Sequence, residues 1–335
     1  MTIRSTPTLA SDLAPVSRHA RGVAGNRDAS LVPQASPGAR TVEFDFPGVE
    51  IGTAEYAEGP TGCTVIHVPA GARTATDARG GAVGMSGGYD RNHAICLTGG
   101  SVYGLSAVAG VSSELLERQR NCTRWDVLQC VSGAVIYDFS SRDNAISPDE
   151  ALGRAALRHA RADRVAVGRA GAGVSATVGK VHNDRAEFAG QGAAFRQYGE
   201  VKLLFVTVLN AVGVIVDRDG GVVRGNLDAE QGRRRHPLAD YEDNILGARL
   251  APVYGNTTIS ALVTNVKLSD YSLRQLGLQV HSSMHRGIQP FHTEADGDTL
   301  FTLTTDEVEL TGLSNTGLGT IASETAWDAI LAALD

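Results

Sequence analysis

Apolar and polar positions alternate through Thr41-Val42-Glu43-Phe44-Asp45-Phe46 and again through Cys63-Thr64-Val65-Ile66-His67-Val68. A period of two, bounded by Pro or Gly, predicts strands. After Gly99-Gly100 a helix is predicted from Ser101 to about Arg118. A second is predicted to start at Ser147-Pro148-Asp149-Glu150, with Ser147 as cap, Pro148 in the first turn and Glu150 closing a capping box. The long, mainly apolar stretch from Val201 to Val216 is interrupted by Asn210 and Gly213, which predicts two buried strands joined by a turn and places the Asn210 amide at a buried site. Beyond Thr257 the pattern predicts a strand to about Leu268, a helix from Ser269 to His285, a loop holding Asp296-Gly297-Asp298, a strand from Thr299 to Thr305 and a helix around Ser323 to Leu334. Strands and helices cluster instead of alternating, and no fixed repeat is present. That arrangement predicts an α+β fold of stacked sheets flanked by helices, a four-layer sandwich.

Composition changes this picture mainly at the N-terminus. Residues 1–40 hold no Phe, Tyr or Trp, but four prolines and five arginines. Such a segment cannot easily build its own core, so it is expected to be a flexible arm or a strap over a neighbouring subunit, with residues 41–335 forming one domain. With 42% hydrophobic residues that domain can bury a large core. A net charge of −7 argues against a phosphate-binding surface, so no nucleic-acid partner is expected, and Arg233-Arg234-Arg235-His236 reads as a solvated loop. No apolar run has the length of a membrane span, and the opening residues lack the apolar segment of a secretory signal, so a cytoplasmic location is expected. Cys63, Cys96, Cys122 and Cys130 show no metal-type spacing and read as reduced structural residues.

The chemistry concentrates at Tyr254-Gly255-Asn256-Thr257-Thr258-Ile259-Ser260, where a small hydroxyl opens a buried strand directly after a Gly-Asn turn. One reading is a hairpin turn before an ordinary strand. The other is a scissile Asn256-Thr257 bond: cutting it would give Thr257 a free α-amine, which can serve as the base for its own hydroxyl. The chain would then divide into pieces of 256 and 79 residues. Lys180 ends a nearly uncharged run from Ala170 to Gly179, where a lysine is costly to bury unless paired or functional, although it also reads as a strand end facing water. Asn210 reads either as an amide donor or as a turn asparagine, and Asp296-Gly297-Asp298 either as paired carboxylates or as a turn. His281, His285 and His292 near Asp296 and Asp298 form a rival metal-ligand set, but Ser282-Ser283-Met284 stands where a metalloprotease helix would carry its glutamate.

The phrases FDFPGV, AVIYDFS, GQGAAFR, GNTTISALVTNVKLS and QVHSSMHRGIQPFHTEADGDTLFTLTTDE resemble the DmpA-like family of N-terminal-nucleophile amidases and β-peptidyl aminopeptidases, and within it the nylon-oligomer hydrolases. The resemblance runs from about residue 41 to the C-terminus. It implies an α-β-β-α sandwich, self-cleavage at Asn256-Thr257 with both pieces kept in one core, and Thr257 as nucleophile. Matched phrase by phrase, it implies catalytic roles for Lys180, Asn210, Asp296 and Asp298, and a substrate-positioning role for Tyr137. The substrate it implies is a linear or cyclic 6-aminohexanoate oligomer cut internally. Neither metal nor cofactor is implied, and the assembly implied is a homotetramer of processed protomers. A β-peptidyl or D-amino-acid aminopeptidase is the alternative enzyme, and a non-catalytic binding protein on the same fold is the alternative of another class.

Overall fold

The computed structural model describes residues 12–36, 38–245 and 255–334. Tyr254, and residues 1–11 and 37 of the expected arm, lie outside the described residues. The main sheet has ten strands: β1 (Gln34–Ala35), β2 (Glu50–Tyr56), β3 (Thr61–Ala78), β4 (Met85–Ser86), β5 (Arg91–Thr98), β6 (Val131–Val135), β7 (Gln191–Tyr198), β8 (Val201–Asn210), β9 (Thr257–Val266) and β10 (Thr299–Val308). Among the described residues five α-helices accompany it: α1 (Leu105–Arg118), α2 (Glu150–Arg158), α3 (Pro237–Ile245), α4 (Asp270–Ser283) and α5 (Asn315–Ala332). The strand order is β7-β8-β9-β10-β3-β5-β6-β4, with β2 also on β3 and β1 on β2.

The 18-residue β3 makes this one sheet serve as two layers. Its first half pairs with β2 and β5, its second half with β10, and the register breaks between His67 and Ala72. The two halves of the sheet bury an inner core between them, built from Ile66, Ile95, Leu204, Val206, Ile259, Val263 and Phe301 among others. α1 and α2 pack on the outer face of one half, Leu115 of α1 over Val65 and Cys96, while α4 and α5 cover the other, with Val280 of α4 in the same cluster as Phe205 and Leu262. The result is the expected α-β-β-α order.

Being sandwiched on both faces explains why the central strands read as continuous apolar runs. In β9 all ten residues are buried: Ile259, Ala261 and Val263 face the inner core, while Leu262 and Val266 face the helices. Each such aliphatic side chain contributes roughly 1.5–3 kcal/mol by leaving water.

Some local expectations shift. α2 is capped by Asp149, whose carboxylate accepts from the Leu152 N–H at 3.1 Å, so Ser147 lies outside the cap. α5 starts at Asn315, well before Ser323, capped by the Ser314 hydroxyl; Gly317 and Gly319 hide this start in the sequence, yet Leu318 and Gly319 pack tightly there. The arginine cluster is not a solvated loop. Arg234 donates to the fully buried Glu187 at 2.7 and 2.8 Å, and Arg235 lies 3.1 Å from buried Asp240. Residues 12–36 contact the rest of the chain: Ala14 N–H donates to Ala186 O at 2.8 Å, and Asp12 pairs with Arg224 at 3.0 Å. Among the described residues no helix is long and apolar enough to cross a membrane.

Candidate active site

Strand direction alone gathers the candidate residues. β8 and β9 are antiparallel, which sets Asn210 at the end of β8 opposite Thr257 at the start of β9. β9 and β10 are parallel, with α4 in the crossover, so both begin at the same edge. The residues just before β10 therefore lie beside those just before β9, and Asn256 bridges to Asp296. Lys180 joins through its backbone, its N–H donating to Val212 O at 2.9 Å just beyond β8. Tyr137 follows β6, and its carbonyl accepts from the Asn210 amide at 3.0 Å.

In the uncleaved chain the Thr257 hydroxyl donates to the carbonyl oxygen of Asn256, the residue whose bond it would cut. The same oxygen accepts from the Gly297 N–H at 3.0 Å. A hydroxyl held against its preceding carbonyl, with a backbone donor on the oxygen, is the arrangement an N-to-O acyl shift needs. The Asn256 side chain is fully buried and its amide atoms lack a partner among the described residues, an unsatisfied burial costing on the order of 1–3 kcal/mol. Gly255 has φ +77°, and a Cβ there would lie 2.4 Å from the Tyr137 ring, so only glycine fits this turn.

Gly297 is equally constrained. An added Cβ would lie 2.3 Å from Ala82 O and 3.1 Å from Thr257 Oγ1. Gly297→Ala is thus expected to move the carbonyl donor and slow precursor conversion at least tenfold. The half-time of conversion on denaturing gels measures this, and a wild-type half-time would remove Gly297 from the processing machinery.

The charges around Thr257 are strongly perturbed. Lys180 is 2% exposed; burial pulls its ammonium down to about 7, against the opposing pull of Asp296 and Asp138. Its Nζ donates to the Asn210 carbonyl at 2.9 Å. Burial and the neighbouring Asp298 charge push Asp296 up to about 6, and burial pushes Asp298 up to about 6 as well. Asp298 accepts from the Thr258 N–H at 2.6 Å and from the His292 N–H at 3.0 Å, so it holds the backbone on the far side of the nucleophile. Asp296 accepts from Val212 N–H at 3.4 Å and from both the Thr293 N–H and hydroxyl.

Thus Thr257, Lys180, Asn210, Asp296 and Asp298 fall into one buried cluster. Of the rival set, the structure brings His292 Nδ1 to 3.0 Å from Asp298 and the His281 and His292 rings to 4.3 Å between centroids, while His281 Nδ1 lies 2.9 Å from Asp77. Among the described residues no group of three or more His, Cys, Asp or Glu is arranged to hold a metal ion. The Gly297 N–H donor and the steric limit at Gly255 escape sequence reasoning, because a backbone donor and a close approach leave no mark in residue type. Tyr137 lines a pocket of about 460 Å³ together with Lys180, Thr177 and Gly255, the residue that precedes Asn256.

The model of peptidase family S58 matches residues 44–334. The chain is 60% identical over 324 residues to the 6-aminohexanoate-oligomer endohydrolase of Kocuria sp. (strain KY2), covering 93% of this chain and 91% of that one. The enzyme of the same description from Paenarthrobacter ureafaciens is also 60% identical, with the same coverage. Among solved structures, the L-aminopeptidase D-Ala-esterase/amidase of Ochrobactrum anthropi, a variant of the Ntn hydrolase fold, superposes with a TM-score of 0.62 at 16% identity over 86% of this chain and 82% of its own. That likeness fixes the fold.

Proposed function

Because the chain belongs to peptidase family S58, we propose that it is a self-processing N-terminal threonine amidase that hydrolyses internal amide bonds of linear and cyclic 6-aminohexanoate oligomers. The observation that carries the reading is the Thr257 hydroxyl held against the Asn256 carbonyl, with the Gly297 N–H on the same oxygen. In processing, Oγ1 attacks the Asn256 carbonyl carbon, the C–N bond breaks with a proton passing to the Thr257 nitrogen, and water hydrolyses the resulting ester. Neutral Lys180, with its proton affinity lowered to about 7, is suited to ease the hydroxyl proton away. Asn210 now donates to Gly255 O at 3.2 Å; once residues 255 and 256 move off, that amide is free for the oxyanion of a substrate. The new α-amine then acts as base, with Asp298 close by at the Thr258 N–H.

The pocket favours internal cutting over an aminopeptidase. Among its described lining residues none carries a carboxylate, and Lys180 and His19 are the basic ones, so a free substrate ammonium finds no partner there. Linear oligomers blocked at the amine are therefore expected to be cut as readily as free ones, with internal fragments resolved by mass spectrometry. Cleavage restricted to free-amine substrates, releasing one N-terminal unit at a time, would establish the aminopeptidase instead. The processed protomers are proposed to act in the cytoplasm as a homotetramer with dihedral symmetry, the reading analytical ultracentrifugation tests by mass.

A further inference from the structure

One wall of the pocket beside Lys180 and Gly255 comes from the N-terminal segment, which precedes residues 44–334 of the family match. Ala14, Pro15 and Val16 offer apolar surface, and His19 Nδ1 lies 3.4 Å from the Tyr137 hydroxyl. The segment is fastened on both sides of this wall. Ala14 N–H donates to Ala186 O at 2.8 Å and Ser17 N–H to Ser140 O at 2.9 Å. The Ser17 hydroxyl and the Arg18 N–H both donate to Asp143 Oδ1, at 2.8 and 2.6 Å. His19 adopts φ +46°, a left-handed conformation costly for a histidine, and its N–H donates to the Ser17 hydroxyl at 3.1 Å. Val16 nevertheless stays 51% exposed, an apolar side chain left uncovered in a segment that is otherwise tied down.

We propose that residues 14–19 form a substrate-selecting wall of this pocket, with Val16 as a specificity-determining residue that receives an uncharged polymethylene acyl chain. The inference rests on the amidase reading and names the side of the substrate that it selects. Apolar wall, absent carboxylate and buried lysine together suit a chain of methylenes better than a charged or strongly polar acyl group. His19 serves as a positioning residue at the end of the wall, holding the Tyr137 hydroxyl toward the pocket.

The test compares 4-nitrophenyl hexanoate with 4-nitrophenyl acetate, which differ only in the methylenes the wall would cover. In Val16→Glu the ratio of their kcat/KM values is expected to fall at least tenfold, through KM for the hexanoate. Asp143→Ala, an exposed change that releases Ser17 and Arg18, is expected to lower the ratio severalfold; it decides the matter if Val16→Glu fails to process into two chains. A wild-type ratio in a processed variant would overturn the proposal. The functional reading fails separately: wild-type protein that hydrolyses both esters but no blocked 6-aminohexanoate oligomer refutes the substrate, while the ester ratio still tests the wall.

Discussion

Thr257→Ala is expected to leave a single 35.1 kDa chain and to lower amide hydrolysis by at least a thousandfold. The hydroxyl is the only group of this side chain that meets the Asn256 carbonyl, and its α-amine exists only after the cut, so one substitution removes the nucleophile of both reactions. Folding should be little affected, because alanine keeps the strand position and leaves no buried polar group unpaired. Thr257→Ser, which keeps the hydroxyl but loses the methyl that fixes its rotamer, is expected to process slowly. Denaturing gels and N-terminal sequencing decide the point. A cleaved Thr257→Ala chain, or an active wild-type protein lacking an N-terminal threonine, would sink the mechanism.

Thr257 stood out as a candidate because a hydroxyl at a strand start after Gly-Asn is a local pattern, and its neighbours because the family resemblance implied them phrase by phrase. From residues alone, Lys180, Asn210 and the two aspartates each kept an ordinary alternative. What gathers them is strand direction: the parallel β9 and β10 bring Asp296 to Asn256, and the antiparallel β8 brings Asn210 to Thr257. Pairing direction is set by the whole sheet and cannot be read in a short window. The segment from Asp12 to Ser36 was legible only as coreless. Its place depends on side-chain tethers such as Ser17 to Asp143, which composition does not encode. The Arg234 pair with Glu187 was missed for a related reason, since a run of like charges looks solvated until its buried partner is found.

The second large effect concerns the cost of holding carboxylates in this site, and it separates catalytic design from stability. Asp296 is pushed up to about 6 in the fold, while an unfolded aspartate titrates near about 3.9. Below about pH 4 the carboxyl is protonated in both states and costs nothing; as pH rises through 4 to 6 the unfolded chain ionises first, and stability is lost until the folded group ionises too. At pH 7 the cost is on the order of 2–3 kcal/mol. Asp296→Asn removes it, and Lys180, already pulled down to about 7, sheds its proton with little further cost. In a Thr257→Ala background, where both proteins stay uncleaved, the bonds from Thr293 are lost at either pH, so the Tm change caused by Asp296→Asn is expected to be more favourable at pH 7 than at pH 4 by a few degrees. In the Thr257 parent, by contrast, the same change should slow processing at least a hundredfold, because an amide nitrogen in place of Oδ2 cannot accept from the Thr293 N–H and hydroxyl, and the loop that carries the Gly297 donor loses its anchor. Calorimetry at the two pH values measures the first effect and gel time courses the second. Equal Tm changes at the two pH values would show that Asp296 is not destabilised by its surroundings, and wild-type processing would show that its bonds to Thr293 do not position the Gly297 donor.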